Sequence, residues 1–188
     1  DNHYISMDYE NATVTDINGE TRQFVPAEYS IKNDLYSQNQ IDFIDKYLNN
    51  LFKIVYEACE NGKYYKFDEN YHLVDSDVTP PEEAVSNVMD IDSVRDMYIL
   101  YEIVHDYDCG EGSFYMCVDL SKDSKCPKLK FTSPWDFNWA YNDSTEKYYA
   151  GAFTDKNFVA KKGDRSNPWF IILCKQDWFM AVSYTHLR

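Results

Sequence analysis

Apolar residues recur at three- and four-residue steps between Gln38 and Asn61, where Ile41, Ile44, Tyr47, Leu48, Leu51, Ile54, Val55 and Ala58 share one side of a helical period. The spacing predicts the longest helix of the chain. Ser37 stands at its N-cap with Gln40 three residues on, the arrangement of a capping box, and Gly62 can end it in the left-handed region. Asp42, Asp45 and Lys46 form its solvated face. Val94, Met97, Tyr98, Tyr101 and Val104 make a second stripe, which predicts a helix from Ser93 to His105 capped by Asp92. A third run, "NPWFIILCKQDWFMA", predicts an amphipathic helix that opens at Pro168 with Asn167 as its cap.

Elsewhere the period shortens to two. "SFYMCVDL" and "PKLKFTSPW" read as strands joined by the polar turn "SKDSKC", with Phe114, Met116 and Val118 on one face and Tyr115 and Cys117 on the other. The opening "DNHYISMDYENATVTDINGETRQF" reads as strands around an Asn18-Gly19 turn. "KYYKFDENYHLVDSDVTPPEEAV", broken at Pro80-Pro81, reads as a surface connection with short extended pieces, and "STEKYYAGAF" as irregular or strand-like. Helix, loop, hairpin, loop, helix is an α+β order, and 188 residues without internal repeat fit one domain.

Composition narrows the partners. Hydrophobic residues at 44% and aromatic residues at 17% are enough to build a packed core. A formal net charge of -14, with no dense Lys/Arg cluster, argues against a nucleic-acid partner. No stretch approaches the roughly 20 apolar residues of a membrane-spanning helix, so no membrane segment is expected in this chain. Cys59, Cys109, Cys117, Cys126 and Cys174 show no CxxC spacing and read as isolated thiols, with a Cys117 to Cys126 bridge as the one cross-link the hairpin would allow. Both ends read as cut: the chain begins in mid-structure, and "VSYTHLR" resembles a translated adaptor sequence. The expected domain is therefore 1–181, a strand-rich opening over 1–30 and a helical lobe over 31–181, with 182–188 as a non-native tail.

Asp108 precedes the predicted hairpin and Asp136 follows it. Antiparallel strands return the chain to where it began, so the two can stand side by side. Carboxylates a few Å apart raise each other's pKa unless a cation lies between them. Mg²⁺ suits such hard oxygens and takes waters and phosphate oxygens as its remaining ligands. Protein kinases share this order, a catalytic-loop aspartate before a hairpin and a metal-binding aspartate in a DFG triplet after it. Here His105-Asp106-Tyr107-Asp108 and Asp136-Phe137-Asn138 occupy the two places, and Ser113 stands where kinases carry a metal-binding Asn.

With "YEIVHDYDCGEGSFYM" and "SPWDFNWAYND", the chain resembles the spore coat CotH family of atypical, secreted protein kinases, and the resemblance runs over nearly the whole chain to Ala181. It implies the mostly helical C-terminal lobe of a kinase-like fold, whose β-hairpin carries the active-site loops. It also implies transfer of the γ-phosphoryl group of ATP to Ser/Thr of a protein substrate, in a secreted or cell-surface setting such as a spore coat. On that pattern Asp108 acts on the incoming hydroxyl as base or orienting group. Asp136 holds Mg²⁺ (or Mn²⁺) and the nucleotide phosphates, Ser113 and Asn138 are further metal contacts, and Asp106, Glu102 and His105 are additional site candidates. Two departures stand out. Asn138 replaces the last Asp of the family's "WDFD" box, keeping an oxygen and losing a charge. No GxGxxG and no lysine in the nucleotide-gripping role are found, and in the family these lie in an N-terminal lobe, so the resemblance leaves open whether this stretch of chain is active alone.

Other chemistry fits the same residues. "DYDCGEG" also suits a calcium-binding turn, though without the full EF-hand spacing, and turn aspartates can serve only to cap a hairpin. His105 suits a helix C-terminus through the dipole. Trp135, Trp139, Trp169 and Trp178 can stack on sugar or fill a core. The competing class is thus a non-catalytic extracellular module that binds calcium or carbohydrate.

Overall fold

The computed structural model describes residues 3–7, 13–15, 21–23, 27–104, 106, 109, 112–140 and 167–186. Among them the chain is α+β, with five α-helices and small antiparallel sheets of two strands each. Strand β1 (His3–Met7) pairs with β4 (Ala27–Ile31), His3 opposite Ile31 and Met7 opposite Ala27. Alternation along β1 buries Ile5 and Met7. Between them β2 (Thr13–Thr15) pairs with β3 (Thr21–Gln23), the hairpin expected there, while Asn18 and Gly19 lie outside the described residues.

Helix α1 (Gln38–Tyr56) starts as its capping box requires: Ser37 Oγ accepts from the Gln40 amide at 3.4 Å and Gln40 Oε1 accepts from the Ser37 amide at 3.0 Å. The α-helix stops earlier than the periodicity predicts. Glu57–Asn61 form a π-helical turn, closed by Gly62 at φ 62°, and its wider ring lets both Glu57 and Ala58 turn inward. The connection that follows holds more order than its turn residues suggest. Strands β5 (Tyr65–Phe67) and β6 (Leu73–Asp75) pair, and Asp68 Oδ1 accepts from the amides of Asn70 and His72, both at 2.8 Å. The Pro80-Pro81 break is also a beginning: helix α2 (Pro81–Ser86) opens with Pro81 in its first turn, where a missing N–H costs nothing.

Helix α3 spans Ile91–Val104, two residues earlier than expected, and Asp90 rather than Asp92 sits at its start, accepting from the Ser93 amide at 3.4 Å. A tertiary contact sets this boundary. The Asp90 amide donates to the Leu129 carbonyl at 2.8 Å and the Leu129 amide to Val88 at 2.9 Å, so the chain entering α3 is fixed to the hairpin before the helix begins. Asp92 stays exposed, 3.5 Å from Arg95. The hairpin is β7 (Tyr115–Cys117) against β8 (Lys130–Thr132), with Tyr115 opposite Thr132 and Cys117 opposite Lys130. Its strands are shorter than their apolar runs, but the faces hold: Phe114, Met116 and Val118 pack on the core and Cys117 is exposed.

The last expected helix is two. Helix α4 (Pro168–Leu173) is capped by Asn167, whose Oδ1 accepts from Trp169 and Phe170, and it is buried on every side rather than amphipathic. A turn at Cys174 to Gln176 separates it from α5 (Asp177–His186), whose backbone continues into the segment read as a tail. The turn is held by an ion pair of Lys175 with Glu60 and by Gln176 donating to the Cys59 carbonyl at 3.4 Å. The core gathers Leu51, Phe52, Ile54 and Val55 of α1, Tyr98 and Tyr101 of α3, Phe131 of β8 and Trp169 and Phe170 of α4. Phe52 meets Trp169 edge to face at 5.1 Å, and Phe131 meets Phe170 at 5.7 Å. Arg95 is buried too, donating from Nη2 to the Trp178 carbonyl at 2.8 Å and from Nε to Phe179 at 3.3 Å, which ties α3 to α5. All five cysteines are thiols, and no Cys117 to Cys126 bridge forms.

Candidate functional site

The end of α3 and the open end of the hairpin meet at Tyr101. This ring packs against Phe114 at 6.4 Å and Phe137 at 6.1 Å. Phe114 follows Ser113, and Phe137 follows Asp136, so one aromatic anchor fixes the neighbours of two candidate residues that are far apart in sequence. The register agrees: with Tyr115 opposite Thr132, the chain enters β7 and leaves β8 at the same end of the hairpin. In the sequence Tyr101 is one member of an apolar helical stripe. Its hydroxyl, however, lies near Asp106 and Cys109, and burial, together with the thiol and carboxylate beside it, pushes its pKa far up.

Asp106 is fully buried, and its amide donates to the Tyr101 carbonyl at 3.1 Å, closing the end of α3. Cys109 is fully buried as well, and its carbonyl accepts from Asn167 Nδ2 at 3.0 Å. His105 and Asp108 lie outside the described residues, as does the distance from Asp108 to Asp136. Glu102 follows Tyr101 near the end of α3. It lies near the Cys174 thiol at the end of α4, and burial together with this carboxylate drives that thiol well above its ordinary pKa, against a hydrogen bond from Tyr98.

On the other flank Asp136 is exposed and adopts φ 60° and ψ 49°, in the left-handed region. Ser113 at φ 51° and Ser133 at φ 55° do the same. Three residues with a Cβ in this region at one end of a hairpin mark a backbone that the surrounding packing holds in place. Phe137–Trp139 then form a short 3₁₀ turn. Asn138 turns back on Asp136: its amide is assigned with the nitrogen facing two acceptors, and in that orientation it donates to Asp136 Oδ1 at 2.6 Å and to the Asp136 carbonyl at 2.9 Å. This sets Asn138 against the Asp136 carboxylate, a contact the sequence alone did not suggest. Trp135 is 61% exposed beside it, whereas Trp169 is core and Trp178 half-buried.

Asp136 offers hard oxygen to a divalent ion, with Ser113 brought to the same end of the hairpin. Among the described residues no group of three or more His, Cys, Asp or Glu converges, so a cation here would draw its other ligands from water and phosphate, the coordination that Mg²⁺ prefers. No helix among the described residues is long and apolar enough to cross a membrane. No protein-family model, curated protein or solved structure matches the chain.

Proposed function

We propose that the chain is the C-terminal lobe of a CotH-like atypical protein kinase, which transfers the γ-phosphoryl group of ATP to Ser or Thr of secreted or surface proteins. The observation that carries this reading is the convergence on Tyr101: Phe114 and Phe137 pack on one ring, so the last turn of α3, the Ser113-Phe114 entry to β7 and the Asp136-Phe137-Asn138 segment leaving β8 share one end of the hairpin. Phosphoryl transfer asks little covalent chemistry of a protein and much positioning. The left-handed backbone at Ser113 and Asp136 and the hydrogen bond from Asn138 to Asp136 are features of a positioned site.

In this reading Asp108 orients the substrate hydroxyl and accepts its proton. The hydroxyl oxygen bonds to the γ-phosphorus, the bond from phosphorus to the β,γ-bridging oxygen breaks, and ADP departs. Asp136 and Ser113 would hold Mg²⁺, which neutralises phosphate charge when bound. Asn138 keeps Asp136 aimed. The test is the parent protein incubated with Mg²⁺ and labelled ATP: label should enter the protein itself or a Ser-rich partner, and Asp136→Ala should abolish it. Transfer by Asp136→Ala at the wild-type rate would end this reading.

Exposed Trp135 favours a second reading, a non-catalytic module that binds carbohydrate by stacking. Glycan binding that disappears in Trp135→Ala, with no phosphoryl transfer by the parent, would select it.

A further inference from the structure

We infer that Asn167 is a positioning residue, a clamp that holds the segment after α3 at Cys109 against the start of α4. One side chain performs two tasks. Its Oδ1 caps α4, accepting from the amides of Trp169 at 3.1 Å and Phe170 at 3.3 Å, and its Nδ2 donates to the Cys109 carbonyl at 3.0 Å. Capping needs only the oxygen, and Ser, Thr or Asp supply it as well as Asn does. The nitrogen is required by the second task alone. Asn167 is 1% exposed and Cys109 fully buried, so no solvent replaces that bond if it is lost.

The platform for the clamp is rigid. Every residue of α4 is buried, and Trp169 and Phe170 pack on Phe131 of β8 at 6.1 and 5.7 Å. Strand β8 leads directly to Asp136. Helix α4 therefore touches both flanks of the candidate site: it packs on the strand that delivers Asp136, and through Asn167 it fixes the backbone at the residue after Asp108. A second tie, from the Asp106 amide to the Tyr101 carbonyl, fixes the same segment to α3 two residues before Asp108. The clamp stands on geometry by itself; its bearing on phosphoryl transfer rests on the function proposed above.

Asn167→Asp and Asn167→Ser keep a capping oxygen and lose the donor, which separates the two tasks. In the full chain, alkylation of Cys109 by iodoacetamide, followed by mass spectrometry, reads the clamp. Cys174, the C-cap residue of α4 and itself buried, reads the integrity of the helix in the same sample. Both variants should alkylate at Cys109 faster by about tenfold or more, the effect of losing one buried hydrogen bond, with Cys174 as slow as in the wild type. Cys109 as slow as in the wild type would overturn the clamp. So would a joint rise at Cys109 and Cys174, which would reduce Asn167 to a helix cap. In the parent protein with Mg²⁺ and ATP, both variants should lower kcat with KM for ATP unchanged, because the clamp serves the Asp108 side; a raised KM with unchanged kcat would contradict it. A wild-type parent that transfers no phosphoryl group would remove the functional reading and leave the thiol rates to decide the clamp.

Discussion

In the proposed kinase reading Asp136 carries two demands on a single residue, a carboxylate for chemistry and a backbone at φ 60° for geometry. Asp and Asn tolerate the left-handed region because their short polar side chains bond locally, whereas a β-branched residue clashes there. The two demands are therefore separable by substitution. Asp136→Asn should fold with the stability of the wild type and lose phosphoryl transfer. Asp136→Val should lose transfer and, in addition, about 1–2 kcal/mol of stability in denaturant unfolding, the cost of forcing a Cβ-branched residue into that conformation. Equal stability of the Val variant and the wild type would mean that the loop does not hold its left-handed turn in solution. Asn138→Ala, which removes the donor to Asp136 Oδ1, should reduce transfer without abolishing it, since the carboxylate remains and only its aim is lost.

At the scale of the element, what was legible in the sequence was local chemistry. Ser37 with Gln40, Gly62, and Asn167 before Pro168 each act within one helical turn, and each stands where the pattern puts it. Boundaries set by distant contacts were not legible. Nothing near Asp90 and Asp92 distinguishes them as caps; the bonds of Val88 and Asp90 with Leu129 decide, and Leu129 belongs to the hairpin. The break between α4 and α5 falls at Lys175 and Gln176, polar residues that one amphipathic helix would also carry on its outer face, and the Lys175 to Glu60 pair that holds it joins residues far apart in sequence. The same limit applies to the site. Its two acidic flanks were visible as motifs, but Tyr101 looks like any other member of an apolar stripe until Phe114 and Phe137 are seen on its ring. The cap assignment is open to measurement. Asp90→Ala should cost about 1 kcal/mol or more, because Asp90 both caps α3 and lies 3.8 Å from Lys130 of β8, while Asp92→Ala should stay within about 0.5 kcal/mol of the wild type. The reverse order in chemical denaturation would return the cap to Asp92.

For the whole molecule, the aromatic core and its titratable lining make one system. Trp169 joins α1, α4 and β8 and donates from Nε1 to the Tyr29 hydroxyl at 3.0 Å. Trp169→Ala should cost about 3–5 kcal/mol, a large part of what a domain of this size has. The same packing sets the response to alkali. Burial, with Glu60 nearby, pushes the Cys59 thiol from its ordinary 9.0 up to about 12, and Cys174, Tyr29, Tyr47 and Tyr101 are raised by burial as well. Each of these groups is neutral when protonated, and the folded chain holds its proton more tightly than the unfolded chain does. Above pH 9 the unfolded state thus binds fewer protons than the folded one, and stability falls as pH rises; below pH 9 the contribution is fully present. On the acid side Asp68 and Asp119 are held below the ordinary carboxylate value chiefly by backbone amides, of His72 and Ser121, so what they contribute is present near neutral pH and is lost only as pH falls through that range. A melting temperature followed upward from neutral pH should therefore stay level to pH 9 and then decline steadily toward pH 12, with a shallower early decline in Cys59→Ala, where one of the two buried thiols is gone and Cys174 still sets the onset. A melting temperature that held level through that whole alkaline range would show that water reaches these side chains in the folded state, and with it the buried Tyr101 anchor on which the candidate site is built would fall.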